Sequence, residues 1–230
     1  MLLEQLRKDV CEANRDLQRY RLVLLTWGNV SGIDRTRGLV VIKPSGVPYG
    51  ELTPESMVVL DLDGKVAEGN LRPSSDAPSH LVLYKAFTTI GGICHVHSTH
   101  ATMFAQACRP IPCLGTTHAD TFHGEVPVTR PLRKPEIESH YEASTGAVIV
   151  EKFARRDPLE MPAVLVAHHG PFTWGLTPAG AVLNSLILEE VARIALGTLA
   201  LAPDAQPIPG PLLDKHYRRK HGPDAYYGQR

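Results

Sequence analysis

Residues 90–98 read Ile-Gly-Gly-Ile-Cys-His-Val-His-Ser. Ile93 to His97 reads as a strand, and Gly91-Gly92 stops the helix that Pro78 to Phe87 forms before it. Ser98 sits where a helix running on to Ala107 would take its cap. A strand set between two helices is the repeating unit of an α/β fold. Working outward, Leu3, Leu6, Val10, Ala13 and Leu17 recur at helical spacing, so the chain opens with an amphipathic helix. Leu39–Ile42 is a short β-branched strand. Met57–Leu62 and Lys65–Ala67 flank Asp63-Gly64 as a hairpin. Ser144 to Arg155 reads as a further helix and Ala163 to Ala167 as a buried strand. Thr177-Pro178 starts a helix that runs to about Leu199. Ala202 to Pro211 is linker-like and separates this body from a polar tail, Asp214 to Arg230. The alternation predicts one domain, an α/β/α sandwich around a single sheet. The order of its strands is not fixed by this pattern.

Composition agrees with that reading and excludes several function classes. The chain has 230 residues, 43% of them hydrophobic, enough for one sizeable core. Lys plus Arg equal Asp plus Glu, 24 against 24, so the overall charge gives no pull towards nucleic acid or an anionic membrane. No apolar run approaches a membrane span, and the charged N-terminal turns, with Glu4, Arg7, Lys8 and Asp9, fit no signal peptide. The four cysteines, Cys11, Cys94, Cys108 and Cys113, form no C-x-x-C pair, which argues against a thiolate zinc finger. A reduced, cytoplasmic setting is the expectation.

Eleven histidines point to metal or proton chemistry. Side chains alternate across a strand, so His95 and His97 face the same way and are near enough to share one ion. A third imidazole is available in His168-His169, after another core strand, and Asp76 offers a carboxylate. A three-histidine site with an open position is catalytic in type. Three segments rich in small polar residues, Gly28–Ser31, Lys43–Gly46 and Pro73–Asp76, offer backbone N–H groups and hydroxyls of the kind that cradle an anion, with one lysine among them. The P-loop pattern is absent, so a nucleotide phosphate is disfavoured.

Together these motifs, with Leu25–Ser31, Val41–Gly46, Arg72–Asp76, Ile90–His97, Gly115–Asp120, His168–Gly175 and Leu213–Gln229 in this order, resemble the class II aldolase family over nearly the whole chain. The Gly115–Asp120 segment and the tail resemble its sugar-phosphate 4-epimerase branch. The resemblance implies a mostly antiparallel sheet and zinc, replaceable by manganese or cobalt, held by His95, His97 and His169 with Asp76 as a further ligand. It implies substrate contacts from Gly28, Asn29, Lys43, Ser45, Gly46, Ser74, Ser75, Thr116, Glu142, His216 and Arg219, with Asp120 and Tyr227 as acid and base. It further implies a four-fold homotetramer, a small sugar phosphate as substrate, and residues 212–230 closing over the active site. The implied reaction inverts C4 of L-ribulose 5-phosphate. Simple deprotonation at C4 gives no stabilised carbanion, whereas breaking C3–C4 makes C3 part of an enediolate that a Lewis acid stabilises. The aldehyde fragment then turns over and adds back. Aldolases of the family that release their aldehyde carry Ser-Ser-Glu where this chain has Ser74-Ser75-Asp76. Adducin-like binding domains lack the histidine set.

Overall fold

The computed structural model describes residues 1–223 and 225–228. The chain runs α1 (Glu4–Arg19), β1 (Asn29–Asp34), β2 (Leu39–Ile42), β3 (Val58–Asp61), β4 (Val66–Glu68), α2 (Ala77–Ala86), β5 (Gly92–His95), α3 (Thr99–Gln106), α4 (Thr116–Ala119), α5 (Lys134–Glu138), α6 (Tyr141–Lys152), β6 (Ala163–Leu165), β7 (Pro171–Gly175), α7 (Pro178–Leu201) and α8 (Gly210–Arg218). The seven strands form one sheet in the order β4-β3-β2-β1-β5-β7-β6, and every pairing between them is antiparallel. The α/β sandwich around an antiparallel sheet is therefore as expected.

Period-two alternation sorts the strand residues onto two faces. Ile33, Val40, Ile42, Val58, Leu60 and Ile93 point to a core roofed by α2, α6 and part of α7. Val30, Val41, Val59 and Cys94 point the other way, onto α1 and the first turns of α7. The apolar spacing read in α1 puts Val10, Ala13 and Leu17 against that second face. Among the described residues no helix is long and apolar enough to cross a membrane.

Three local readings change. Asn29 to Ser31, read as part of an anion loop, open the central strand β1, and Pro171–Gly175 is a further strand, β7. Ser98 does occupy the N-cap of α3, but its hydroxyl makes no capping bond. The carboxylate of Glu189, from α7, takes that role, accepting from the backbone N–H of His100 at 2.9 and 3.1 Å and of Ala101 at 3.1 Å, and meeting His100 Nδ1 at 2.7 Å. Finally, the polar tail begins with a docked helix. Gly210-Pro211 opens α8 rather than closing a linker, as proline does at a first helical turn. Tyr217 on α8 is only 9% exposed.

Candidate metal centre

The site lies where three neighbouring strands end together. Asn29 of β1 is the register partner of His95 on β5, and His95 is the register partner of Phe172 on β7. Phe172 stacks on the His95 ring at a centroid distance of 4.1 Å, which fixes the plane of the imidazole. Strand β5 ends at His95, yet His97, two residues on, keeps the same side: the two Nε2 atoms are 3.2 Å apart. His169 follows a tight turn in which His168 adopts φ 62°. Gly170 makes the turn possible, because a Cβ there would sit 2.9 Å from both His97 Cδ2 and the Val96 carbonyl. His168 turns away towards the Cys108 sulfur, 3.3 Å from its Nε2, so His169 is the one that joins His95 and His97.

One nitrogen from each of these three rings lies within 4.8 Å of the others. The donor set fits a metal. The Pro171 carbonyl only accepts, so His95 Nδ1, 2.9 Å away, carries the proton and Nε2 presents a lone pair. Tetrahedral zinc with bonds of about 2.0–2.1 Å spaces its ligand nitrogens by about 3.3 Å, close to the separation of His95 and His97. Burial, reinforced by the neighbouring imidazoles, pushes His97 down to about 4 and His169 down to about 3, so both are neutral at physiological pH, the form in which imidazole can ligate a metal. Tyr141 OH lies 3.3 Å from His169 Nδ1, the kind of hydrogen-bond partner that metal-binding imidazoles take on their other nitrogen. Asp76 is not part of the tight trio. Burial opposes its ionisation, but His95, His80 and a 2.6 Å hydrogen bond donated by Asn29 Nδ2 hold its carboxyl below the usual range.

The trio and Asp76 line a cavity of about 530 Å³ together with Gly28, Asn29, Ser45, Gly46, Ser74 and Ser75. Two of the loops are tied to each other, Ser45 N–H to the Arg72 carbonyl and Ser74 N–H to the Lys43 carbonyl, both at 2.9 Å. Ser31 does not reach the cavity. It points through the sheet to His80 Nδ1 at 2.7 Å and Tyr84 OH at 2.8 Å. Nor does Lys43 line the wall: it is 2% exposed, its Nζ faces the Pro44 carbonyl at 3.3 Å and the Tyr49 ring, and burial lowers its pKa to about 8. Glu142, on the first turn of α6, and Thr116, on α4, also stand outside this cavity.

The other expected residues form a second cluster around Asp120, away from that cavity. Arg219 grips its carboxylate with Nε at 3.0 Å and Nη2 at 2.7 Å, His216 Nδ1 lies at 3.0 Å and Lys220 Nζ at 3.2 Å. Burial opposes ionisation of Asp120, and Arg219, His216 and Lys220 more than offset it. Tyr227 is 61% exposed, with the Arg219 and Lys220 side chains over its ring. Within one chain, therefore, the structure assembles the histidines with the small-residue loops, and Asp120 with the tail, but does not bring the two groups into one cavity. Sequence reasoning passed over Trp27, Tyr141, Gly170 and Glu189. Trp27 and Gly170 lay inside motifs singled out; Tyr141 and Glu189 did not.

A single antiparallel sheet flanked by helices, with three imidazoles converging beside a polar cavity at the ends of its central strands, defines an α/β protein built around a histidine cluster that could hold a metal ion. The chain belongs to the Class II Aldolase and Adducin N-terminal domain family, whose model matches residues 8–196. It is 53% identical over 228 residues to "L-ribulose-5-phosphate 4-epimerase UlaF" of Salmonella typhi, covering 99% of this chain and 100% of that protein. It is 52% identical, over the same span, to the protein of that name from Salmonella choleraesuis. Among solved structures, an L-fuculose 1-phosphate aldolase shares the fold with a TM-score of 0.79 at 24% identity, covering 94% of this chain and 95% of that one. YgbL of Klebsiella pneumoniae, a putative aldolase/epimerase/decarboxylase, superposes with a TM-score of 0.73 at 25% identity, covering 94% and 99%.

Proposed function

We propose that this chain is an L-ribulose-5-phosphate 4-epimerase, an isomerase that interconverts L-ribulose 5-phosphate and D-xylulose 5-phosphate. The observation that carries the reading is the trio of imidazole nitrogens within 4.8 Å, set in the cavity that the small-residue loops line, in a chain 53% identical end to end to epimerases of that name. His95, His97 and His169 hold the metal, zinc in our reading, with manganese or cobalt as possible substitutes and Asp76 as a nearby carboxylate. When bound, the ion supplies Lewis-acid stabilisation of the charge that cleavage of C3–C4 leaves on the three-carbon fragment.

The chain's own residues do the rest. Ser45, Gly46, Ser74 and Ser75, with Gly28 and Asn29, hold the phosphate and the aldehyde fragment it carries. Lys43 sits behind them, and its lack of a carboxylate partner among the described residues supports a role in balancing that anion from below. Asp120 and Tyr227 exchange a proton with the C4 hydroxyl from opposite faces. Because the Asp120 cluster stands apart from the trio within one chain, the reading requires it to come from a neighbouring subunit, with residues 212–230 closing over that subunit's cavity beside Thr116, Glu142, His216 and Arg219. Exposed large apolar side chains such as Leu24 (69%), Leu25 (78%) and Leu176 (70%) support association, here a four-fold homotetramer. The reduced, cytoplasmic setting is part of the same proposal.

The test is a coupled assay for D-xylulose 5-phosphate on purified protein, with zinc content measured in parallel. His95→Asn and His97→Asn should each lose zinc and nearly all turnover while remaining folded. Full activity in either variant, or after exhaustive chelation, sinks the metal-enzyme reading. A fully active monomer by light scattering sinks the shared site.

A further inference from the structure

The cavity beside the histidines is polar almost throughout. Among the described residues that line it, one side chain is large and apolar, Trp27, and it is 52% exposed. Its ring lies next to His97, at a centroid distance of 6.4 Å and an angle of 47°. An indole left half in water adds little to the core, and its place on the wall of a polar cavity lets it act on what that cavity holds.

The backbone that carries this ring is fixed. The buried Tyr49 hydroxyl lies 2.6 Å from the Trp27 carbonyl and 2.9 Å from that of Gly28. Trp27 N–H donates to the Leu24 carbonyl at 3.1 Å across a turn in which Leu25 takes φ 51°. Gly28 follows at φ 80°, pressed so close to β5 that a Cβ there would meet the His95 carbonyl at 2.8 Å. The backbone that carries Trp27 is thus held against the same strand as the metal-type ligands rather than on a mobile flap.

We propose that Trp27 is a specificity-determining residue that keeps the cleaved aldehyde inside the cavity; this rests on the epimerase reading above. In that reaction the C3–C4 bond breaks, its electron pair passes to the three-carbon fragment, and the proton of the C4 hydroxyl passes to the base. Glycolaldehyde phosphate must then turn its opposite face and take the electron pair and a proton back. If it leaves first, the three-carbon fragment takes a proton at C3 and departs as dihydroxyacetone. The same cleavage then yields a lyase instead of an epimerase. Hydrogen bonds from the small-residue loops hold the phosphate end but leave the two-carbon end free to swing outward. A flat apolar wall gives that end contact area without a directional bond, which retains it and still lets it rotate.

The experiment measures a partition ratio, glycolaldehyde phosphate released per D-xylulose 5-phosphate formed. Reactions of the full-length protein with zinc and L-ribulose 5-phosphate are quenched in acid, and aldehydes are quantified by mass spectrometry as oximes. Trp27→Ala should raise the ratio by about tenfold or more, Trp27→Leu by less, and Trp27→Phe should stay within about twofold of wild type. Both products depend equally on metal content and cleavage rate, so a merely structural loss lowers them together and leaves the ratio alone. A ratio that does not respond to side-chain size across Phe, Leu and Ala overturns the inference while leaving the epimerase reading intact. A wild-type protein that does not epimerise L-ribulose 5-phosphate overturns both.

Discussion

Replacing Asp120 by asparagine removes the one negative charge on which the tail converges. Its carboxylate is 14% exposed and takes three contacts within 3.0 Å, two from Arg219 and one from His216, with Lys220 at 3.2 Å. A hydrogen bond to a charged group is worth about 1.5–3 kcal/mol when buried and an exposed ion pair about 0.2–1 kcal/mol. The partners here are 19–31% exposed, so each contact falls between those limits. Asparagine keeps one acceptor oxygen, and the freed Arg219 and Lys220 can turn to water. The net loss should be about 1.5 kcal/mol, roughly tenfold in the equilibrium that docks α8. Hydrogen exchange of the amides of residues 212–219 reads this directly. In Asp120→Asn they should exchange roughly tenfold faster, while those of β1 and β5 are unchanged. Lys220→Ala, which removes a single more exposed partner, should give a smaller acceleration. The folded carboxyl titrates below its ordinary value, so the contribution is complete above about pH 4 and is lost as pH falls further. Unchanged exchange in Asp120→Asn, or a larger effect in Lys220→Ala, would refute the view of Asp120 as the tail's anchor.

Three further outcomes are expected. His118 is 4% exposed, and burial lowers it to about 4, so the unfolded chain binds its proton first: stability is complete above about pH 6.5 and declines between about 6.5 and 4. Urea unfolding of His118→Gln should show a shallower decline over that window than wild type, and equal slopes would contradict it. Glu189→Ala leaves the N–H groups of His100 and Ala101 without their acceptor and should lower stability by about 2 kcal/mol by urea titration, with Glu189→Gln losing less. Gly170→Ala forces a Cβ against His97 and should weaken zinc binding by at least about tenfold in competition with a chromophoric chelator; wild-type affinity would show that the turn relaxes freely.

Where the elements were legible in the chain, the reason was local. Leu39–Ile42, the Asp63-Gly64 hairpin, the Thr177-Pro178 helix start and the spacing of α1 are all dictated by near neighbours. Strand β1 was not, because Asn-Val-Ser-Gly-Ile-Asp carries buried polar groups whose partners are distant: Asn14 for the Val30 amide, His80 and Tyr84 for Ser31. Strand β7 begins in proline and ends in glycine, so its five residues are not assigned until β5 and β6 are seen to flank it. The same division runs through the site. His95 and His97 share a side by strand geometry, and the quoted loops do meet in one cavity. That His169 rather than His168 completes the trio depends on the turn at Gly170, and the gathering of His216, Arg219 and Lys220 on Asp120 depends on α8 folding back onto α4. The first was legible in the Gly-Pro that follows His169; the second is not a property of any short window.

The partnership of Asn29, His95 and Phe172 places the histidine cluster in the interior of the seven-strand order, with β4 at one border and β6 at the other. Warming should therefore dismantle the molecule from its margins. The short, solvent-facing β4 and the helix leashed to Asp120 can let go while the middle of the sheet, and the ring stacked on Phe172, stay in place. Two losses that are usually taken as one then separate on the temperature axis: turnover, which in our reading needs the tail, fails early, and the ability to retain a divalent ion persists until the whole sheet melts. In a heat-treated preparation, bound zinc would count surviving folds but not surviving enzyme.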